Sequence, residues 1–191
     1  MAQENKVVFG LTNVHVAEIT ETDGKTTYGT PYRVPGAVEI GLTPRGDMVE
    51  FYADNMVYYA ASNNQGYDGS LSIANLPEVF VTGVLGEVKD EEDGVITEIA
   101  SAKGKAFALM FEFDGDVKAT RHVLYNCSAS RPTVGGSTKT NSAEPKPNEL
   151  SFIAGPRAED EFVKTKTGAA TPVDVYDNWY KSVYTKTPAG A

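Results

Sequence analysis

The single cysteine, Cys127, and the two histidines, His15 and His122, are the residues best suited to nucleophilic catalysis in this chain. A catalytic thiol needs a base within hydrogen-bonding reach. Cys127 and His122 are five residues apart on one predicted strand. Because side chains alternate between the faces of a strand, we expect these two to point in opposite directions. His15 could approach the thiol only through the tertiary fold. The pattern favours a reduced, packed cysteine without a catalytic role.

The sequence also contains no motif for metal binding or for nucleotide chemistry. No CxxC or HExxH zinc pattern occurs, and no glycine-rich phosphate-binding loop. Asp114 and Asp116 flank a glycine but lack the spacing and terminal glutamate of a calcium loop. With 26 acidic residues, a glycosidase-like carboxylate pair is not excluded, although no motif supports one. We therefore expect no catalytic residue, no cofactor and no metal, and a structural or binding role rather than an enzyme.

The elements that position these residues centre on a predicted hairpin at residues 107–130. Its first strand alternates large apolar residues with others, which places four of them on one face. The Asp-Gly pair that follows is a strong hairpin signal, because glycine accepts a positive φ. The hairpin is therefore the expected centre of a β-sheet core. The four apolar residues are Phe107, Leu109, Phe111 and Phe113.

Two registers are possible for this central hairpin. A two-residue loop would pair Phe111 with Lys118. A three-residue loop that includes Asp116 would pair Phe111 with Ala119 and would keep the apolar residues of both strands on one face. We predict the second register, because a slip of one residue would send that face into water.

Length and composition predict one globular domain over residues 1–191. Hydrophobic residues make up 41% of the chain, and its ten tyrosines and eight phenylalanines favour strands. No run approaches the roughly 18 apolar residues of a membrane span. The net charge of −9 disfavours direct, salt-dependent electrostatic binding to nucleic acid phosphates.

Two short helices are predicted beside the strands. The first covers about residues 76–85, with Asn75 as its N-cap and Gly86 as its left-handed terminator. The second covers about residues 172–184 after a cap at Thr171. Whether it packs on its own sheet or on a neighbouring subunit is left open by the sequence. Its apolar stripe has helical spacing and consists of Tyr176, Trp179, Tyr180, Val183 and Tyr184.

Residues 43–70 combine aromatic side chains with Asn, Asp, Gln and Gly. One interpretation is an exposed hairpin followed by a return strand. The other is an extended assembly arm that finds its apolar partners on another chain, since tyrosine is favoured at interfaces. Residues 131–149, rich in Gly, Ser, Thr and Pro, are predicted to form a flexible loop. The candidate subunit-interface residues are Phe51, Tyr52, Tyr58, Tyr59 and Tyr67, with Trp179 and Tyr180 from the final helix.

Segments spread over almost the whole chain carry a family resemblance: NKVVFGLTNVHVAEITETDGKTTYGTP, VPGAVEIGL, FYADNMVYYAASNNQGYDGSLSIA, LPEVF, KAFALMFEFDGD, TRHVLYNCSASRP and DNWYKSVYT. They are similar to the major tail proteins of long-tailed, non-contractile bacteriophages (siphophages). The similarity is weakest over residues 87–98 and 133–149.

The resemblance implies a mainly β tail tube fold, with two packed antiparallel sheets in a β-sandwich or barrel-like core. It implies hexameric rings that stack into the hollow tail tube of the virion, through which phage DNA is delivered to the host. The expected partners are further copies of the chain and the tail terminator, distal tail and tape measure proteins. DNA is expected to pass through the lumen without specific binding. No membrane partner is expected, and assembly is expected in the host cytoplasm.

The alternative is a monomeric β-sandwich adhesion or carbohydrate-binding module of a virion or cell surface. It would explain the strands and the tyrosines but not a resemblance that runs almost end to end. The two hypotheses differ in the state of the purified protein. A module stays monomeric, whereas a tube subunit forms rings or polymers as its concentration rises.

Overall fold

β-structure dominates the computed structural model, which describes residues 3–22, 24–136, 138 and 146–186. The helical segments are α1 (Glu78–Phe80), which continues into a π-helical turn (Val81–Leu85), and α2 (Val173–Asp177). The strands are β1 (Val8–Thr22), β2 (Lys25–Tyr28), β3 (Tyr32–Arg33), β4 (Ala37–Pro44), β5 (Met48–Ala53), β6 (Met56–Ser62), β7 (Tyr67–Ile73), β8 (Val88–Lys89), β9 (Ile96–Thr97), β10 (Phe107–Gly115), β11 (Thr120–Ala129), β12 (Asn148–Gly155) and β13 (Lys164–Lys166).

The main sheet is antiparallel, with the strand order β2-β1-β10-β11-β12-β7-β4. In addition, β3 pairs with β1, and β13 pairs with β11. The sheet folds over on itself, because β1 contacts β4 although four strands separate them in the order. The mainly β prediction is confirmed. The two halves of the sheet enclose a common core as in a sandwich, and the sheet stays open rather than closing into a barrel.

Strand β10 is buried on both of its faces. Phe107, Leu109 and Phe111 point into the main core, which the two halves of the sheet share. Ala108 and Met110 point the other way, into a second core beneath the C-terminal segment. The predicted alternation along this strand is confirmed, and the second face, which the pattern left unassigned, is buried as well.

The predicted register of the central hairpin is wrong. Phe111 pairs with His122 rather than Ala119, and the loop between the strands covers residues 116–119. The reason is that Asp114 and Gly115 do not turn. They remain in β10, where they pair with the start of β1.

Asn5 supports this longer loop from the other end of the chain. Its side-chain oxygen accepts hydrogen bonds from the backbone N–H groups of Val117 and Lys118, both at 3.0 Å. Its amide nitrogen donates to the carbonyl oxygen of Lys118 at 2.6 Å. The loop conformation therefore depends on a residue more than 100 positions away.

The first helix ends as predicted, at Gly86, whose φ is 80°. Its start differs, because the N-cap is Pro77 and no side chain caps the helix, so the predicted Asn75 cap is wrong. The second helix stops at Asp177 instead of continuing to residue 184. Thr171 does not cap it, since its hydroxyl accepts the N–H of Gly168 at 2.8 Å.

After α2 the chain continues in turns, which place Trp179 and Val183 in the second core. Burial of these side chains against the sheet outweighs the helical periodicity, as tertiary packing often overrides local propensity. Residues 137 and 139–145 of the predicted loop at 131–149 lie outside the described residues. Residues 131–136, 138, 146 and 147 have neither helix nor strand.

Replacing Cys127 with serine should lower the free energy of unfolding by about 1–3 kcal/mol, because the hydroxyl would be buried in an apolar core. Cys127 is fully buried, and burial raises the pKa of its thiol. Urea unfolding with and without reducing agent measures the effect. The matched control is Ser128→Ala at the next, exposed position, which should change little. An unchanged stability for Cys127→Ser would contradict this packing.

Candidate functional site

Strands β5 and β6 form a separate hairpin that projects from the sheet. They pair only with each other among the described strands. Asp54 and Asn55 connect them, with φ values of 51° and 60°. Two successive positive φ values are what a type I′ hairpin turn requires, and Asn and Asp tolerate them better than most residues. We call this element, with the residue that precedes it (residues 47–62), the hairpin arm.

The hairpin arm exposes large apolar side chains on both of its faces. Cross-strand pairing places Val49, Phe51 and Tyr59 on one face, and Tyr52 and Val57 on the other. A register shift between Phe51 and Tyr52 leaves a bulge in the facing strand. Eight apolar side chains are between 46% and 71% exposed: Met48, Val49, Phe51, Tyr52, Met56, Val57, Tyr58 and Tyr59. An isolated two-stranded hairpin is marginally stable in water, so this surface is suited to contact with a partner.

All the formal charges of the arm are negative. Asp47, Glu50 and Asp54 fall between Gly46 and Gly66, and no lysine or arginine does. The hydroxyl of Tyr52 donates a hydrogen bond to Glu50 at 2.7 Å, and this bond raises the pKa of Tyr52. The arm is thus an apolar, acidic element.

A tight junction joins the arm to the sheet. Arg45 donates its backbone N–H to Gly66 at 2.9 Å and accepts one from Gln65 at 3.1 Å, so the β4–β7 ladder continues up to the arm. Gly46 has a φ of 106°, and a Cβ there would overlap the carbonyl oxygen of Asn63. The base of the arm therefore depends on a glycine, because the segments that enter and leave the arm pass very close to each other there.

Four of the predicted interface residues lie together on the arm: Phe51, Tyr52, Tyr58 and Tyr59. Tyr67 does not join them. It begins β7 and packs against the main core, with the Lys164 ammonium 4.4 Å from its ring centre. The pattern also missed Met48, Val49, Met56 and Val57. Their signal was available, because both strands carry apolar residues at consecutive positions instead of alternating with polar ones.

Trp179 and Tyr180 lie far from this group in the fold. Trp179 is only 2% exposed and packs on the sheet of its own chain. Tyr180 donates to the buried carboxylate of Glu112 at 3.1 Å, which also accepts Arg121 at 2.9 Å. Burial and the nearby Glu112 raise the pKa of Tyr180. The C-terminal segment is thus held on its own subunit, and an interface role for Trp179 and Tyr180 stays a prediction.

A cavity of about 460 Å³ opens at the end of the sheet from which the arm leaves. Val8 and Phe113 give it apolar walls, and Lys118 and Lys166 give it positive charge. His122 also lines it, with its ring stacked on Phe111 at a centroid distance of 5.0 Å. We call this cavity the end pocket.

His122 is held neutral in this environment. Its Nδ1 is buried and has no hydrogen-bond partner among the described residues. Burial, and then the charges of Lys164 and Lys166, lower its pKa from 6.5 to about 4. These lysines are close to His122 because β13 pairs with β11 at this point.

The prediction from strand alternation that Cys127 and His122 point to opposite faces is wrong. Both lie on the main-core side of β11, because the register with β10 shifts between Leu124 and Cys127. Five residues of strand still separate them by roughly 16 Å. The part of the chain that the structure describes contains no group of three or more His, Cys, Asp or Glu side chains that could hold a metal ion. Over the same residues, no helix is long and apolar enough to cross a membrane.

Comparison with solved structures gives distant neighbours, two of which are described below. No protein-family model matches the chain, and no curated protein does. The tube-terminating cap of the anti-feeding prophage superposes with a TM-score of 0.46 at 16% identity, over 88% of this chain and 97% of that one. The sheath/tube terminator of an extracellular contractile injection system, in its extended state, superposes with a TM-score of 0.46 at 13% identity, over 81% and 93%. Both are tube terminators rather than major tail proteins, and likeness at this level assigns no function to the chain.

Replacing Gly46 with alanine should disorder the base of the arm, because the new Cβ would meet the Asn63 carbonyl. We expect a loss of more than about 1 kcal/mol in unfolding free energy. Amide hydrogen exchange should lose protection at residues 48–62 while β10 stays protected. Gly94→Ala is the control, since that glycine also has a positive φ but open space around it. Equal effects of the two substitutions would count against a steric role for Gly46.

Stability should fall as the pH drops from about 6.5 towards 4, because the unfolded chain protonates His122 before the folded chain does. Between pH 7.5 and 5 the loss should be about 1–2 kcal/mol, after allowance for screening at a partly exposed group. Unfolding by urea at several pH values measures it. His122→Phe should flatten this part of the profile, and the difference from the parent protein separates His122 from His15. Profiles that run parallel would disprove the assignment.

Proposed function

We propose that the chain is a structural, non-enzymatic subunit of a phage-type tail tube, and that the hairpin arm joins one copy to another. In this role it would act as a major tail protein, with hexameric rings stacked into the tube through which DNA passes. The observation that carries the proposal is the arm itself, a projecting hairpin with exposed apolar side chains on both faces.

The arm argues for a permanent partner. Contiguous apolar surface on a soluble monomer usually marks an interaction site. A hairpin with two apolar faces exposes more apolar surface than one flat interface can cover. This favours insertion of the hairpin between neighbouring chains. Tyrosine, phenylalanine and methionine, which make up most of its exposed apolar residues, are enriched at interface centres.

The partner is best understood as another copy of the chain. A contact between the arm of one copy and a different site on the next copy joins two unlike surfaces, so it is head-to-tail. Such contacts give rings when the rotation closes and filaments when it does not. The resemblance of the sequence to major tail proteins supports the same assembly, and the net charge of −9 suits a tube in which DNA slides without being bound.

Replacing Phe51 and Tyr59 with serine should abolish tube formation while leaving the subunit folded, because both side chains are exposed in the single chain. Negative-stain electron microscopy and light scattering over a concentration series measure assembly, and circular dichroism checks the fold. The control is the double variant Val134→Ser/Val173→Ser, which removes two apolar residues outside the arm that are even more exposed than Phe51 and Tyr59.

Three outcomes separate the hypotheses. Tubes from the parent protein and the control, but not from the arm variant, support the proposal. Tubes from the arm variant refute the role of the arm. A parent protein that stays monomeric at high concentration refutes the tube and favours a monomeric binding module.

A further inference from the structure

The end pocket and the hairpin arm lie at the same end of the sheet. The arm leaves where Pro44 and Tyr67 pair, next to Ala154 of β12. On the neighbouring strand β11, the residues that run beyond this end pair with β13, and one of them, His122, lines the pocket. The arm does not fill the pocket of its own chain, since its apolar side chains remain exposed.

The end pocket is positive in a chain that is strongly negative overall. Lys118 and Lys166 line it. Within the described residues neither lysine forms an ion pair with a carboxylate. Glu4 is the acidic residue of the lining.

The pocket also has the apolar surface that a partner side chain needs. Phe113 and Val8 line it, and the adjoining residues Val7 and Phe9 are each 57% exposed. A volume of about 460 Å³ lies within the range of roughly 300–1,000 Å³ that is typical of ligand pockets, so it can take more than one side chain.

We propose that the end pocket receives the hairpin arm of a second copy of the chain. The apolar side chains of the arm pack on Phe113 and Val8, and the acidic residues Asp47 and Glu50 face Lys118 and Lys166. Charge complementarity selects this occupant, because the charged residues of the arm are all acidic and those of the pocket lining are two lysines and one glutamate. This inference rests on the proposed function, and it names the surface that the arm contacts.

The position of the two surfaces determines which copies are joined. Because donor and acceptor lie at the same end, a rotation about an axis parallel to the strands brings the arm of one copy to the pocket of the next. In a ring with such an axis, the contact links neighbours within one ring rather than successive rings along the tube.

Charge reversal in the pocket tests the proposal. Lys118→Glu/Lys166→Glu should weaken association of the full chain by at least about tenfold at low salt, because like charges would then meet at the interface. Sedimentation velocity over a concentration series measures it. The control is Lys25→Glu/Lys103→Glu, which makes the same change of charge at two exposed lysines near the other end of the sheet and should associate like the parent protein.

Reversal on the arm completes the test. Asp47→Lys/Glu50→Lys should weaken association as strongly as the pocket variant. Combining both reversals in one chain should restore association, since opposite charges face each other again. The arm variant also excludes a general charge effect: it lowers the net charge from −9 to −5, which by itself would favour association, so weaker association points to a lost contact.

The outcomes distinguish this inference from the proposed function. If the pocket variant associates like the parent protein while Phe51→Ser/Tyr59→Ser does not, the arm docks elsewhere and only the inference fails. If the combined variant is not restored, the two charge sets do not face each other, and the inference fails as well. If the parent protein does not associate, both fail.

Discussion

Strand β10 has no face open to water over residues 107–111, and the rest of the chain is arranged to make that possible. A central strand with apolar residues on both faces needs cover on both sides as well as a partner at each edge. β1 and β11 supply the edges, and the folded-over half of the sheet covers Phe107, Leu109 and Phe111. The C-terminal segment covers the opposite face. Each fully buried large apolar side chain contributes about 1.5–3 kcal/mol, so losing either cover would cost several such contributions.

The second cover is held by polar groups as well as apolar ones. Glu112 follows the buried part of β10 and is only 6% exposed. It accepts hydrogen bonds from Asn13 at 2.6 Å, Arg121 at 2.9 Å and Tyr180 at 3.1 Å, and Arg121 also donates to the carbonyl oxygen of Tyr176. A buried carboxylate is tolerated when its acceptor sites are filled in this way. The network therefore fixes where the end of the chain lies on the sheet.

The sequence revealed the strands more readily than their pairing. Alternation identified the apolar face of β10, and Gly86 was recognised as a helix terminator because both signals are local. The hairpin register failed because Asn5 and the start of β1, about 110 residues earlier, hold Asp114 and Gly115 in the strand. The aromatic residues of the arm were also identified from the sequence. The Asp54-Asn55 turn has a local signal of the same kind and could have been predicted. The end pocket was not, because Val8, Phe113 and Lys166 come from three distant parts of the chain that only the folded sheet brings together.

The acidic residues of the arm have a consequence for the fate of the free subunit. An exposed apolar hairpin has two unpaired edges, and such edges can template strand addition and fibril growth. Two arms paired edge to edge would bring two sets of Asp47, Glu50 and Asp54 together without a neighbouring cation on either arm. Charges placed this way act as gatekeepers against aggregation. The same carboxylates thus make pairing between the arms of two free subunits unfavourable while the apolar side chains of the arm are still exposed.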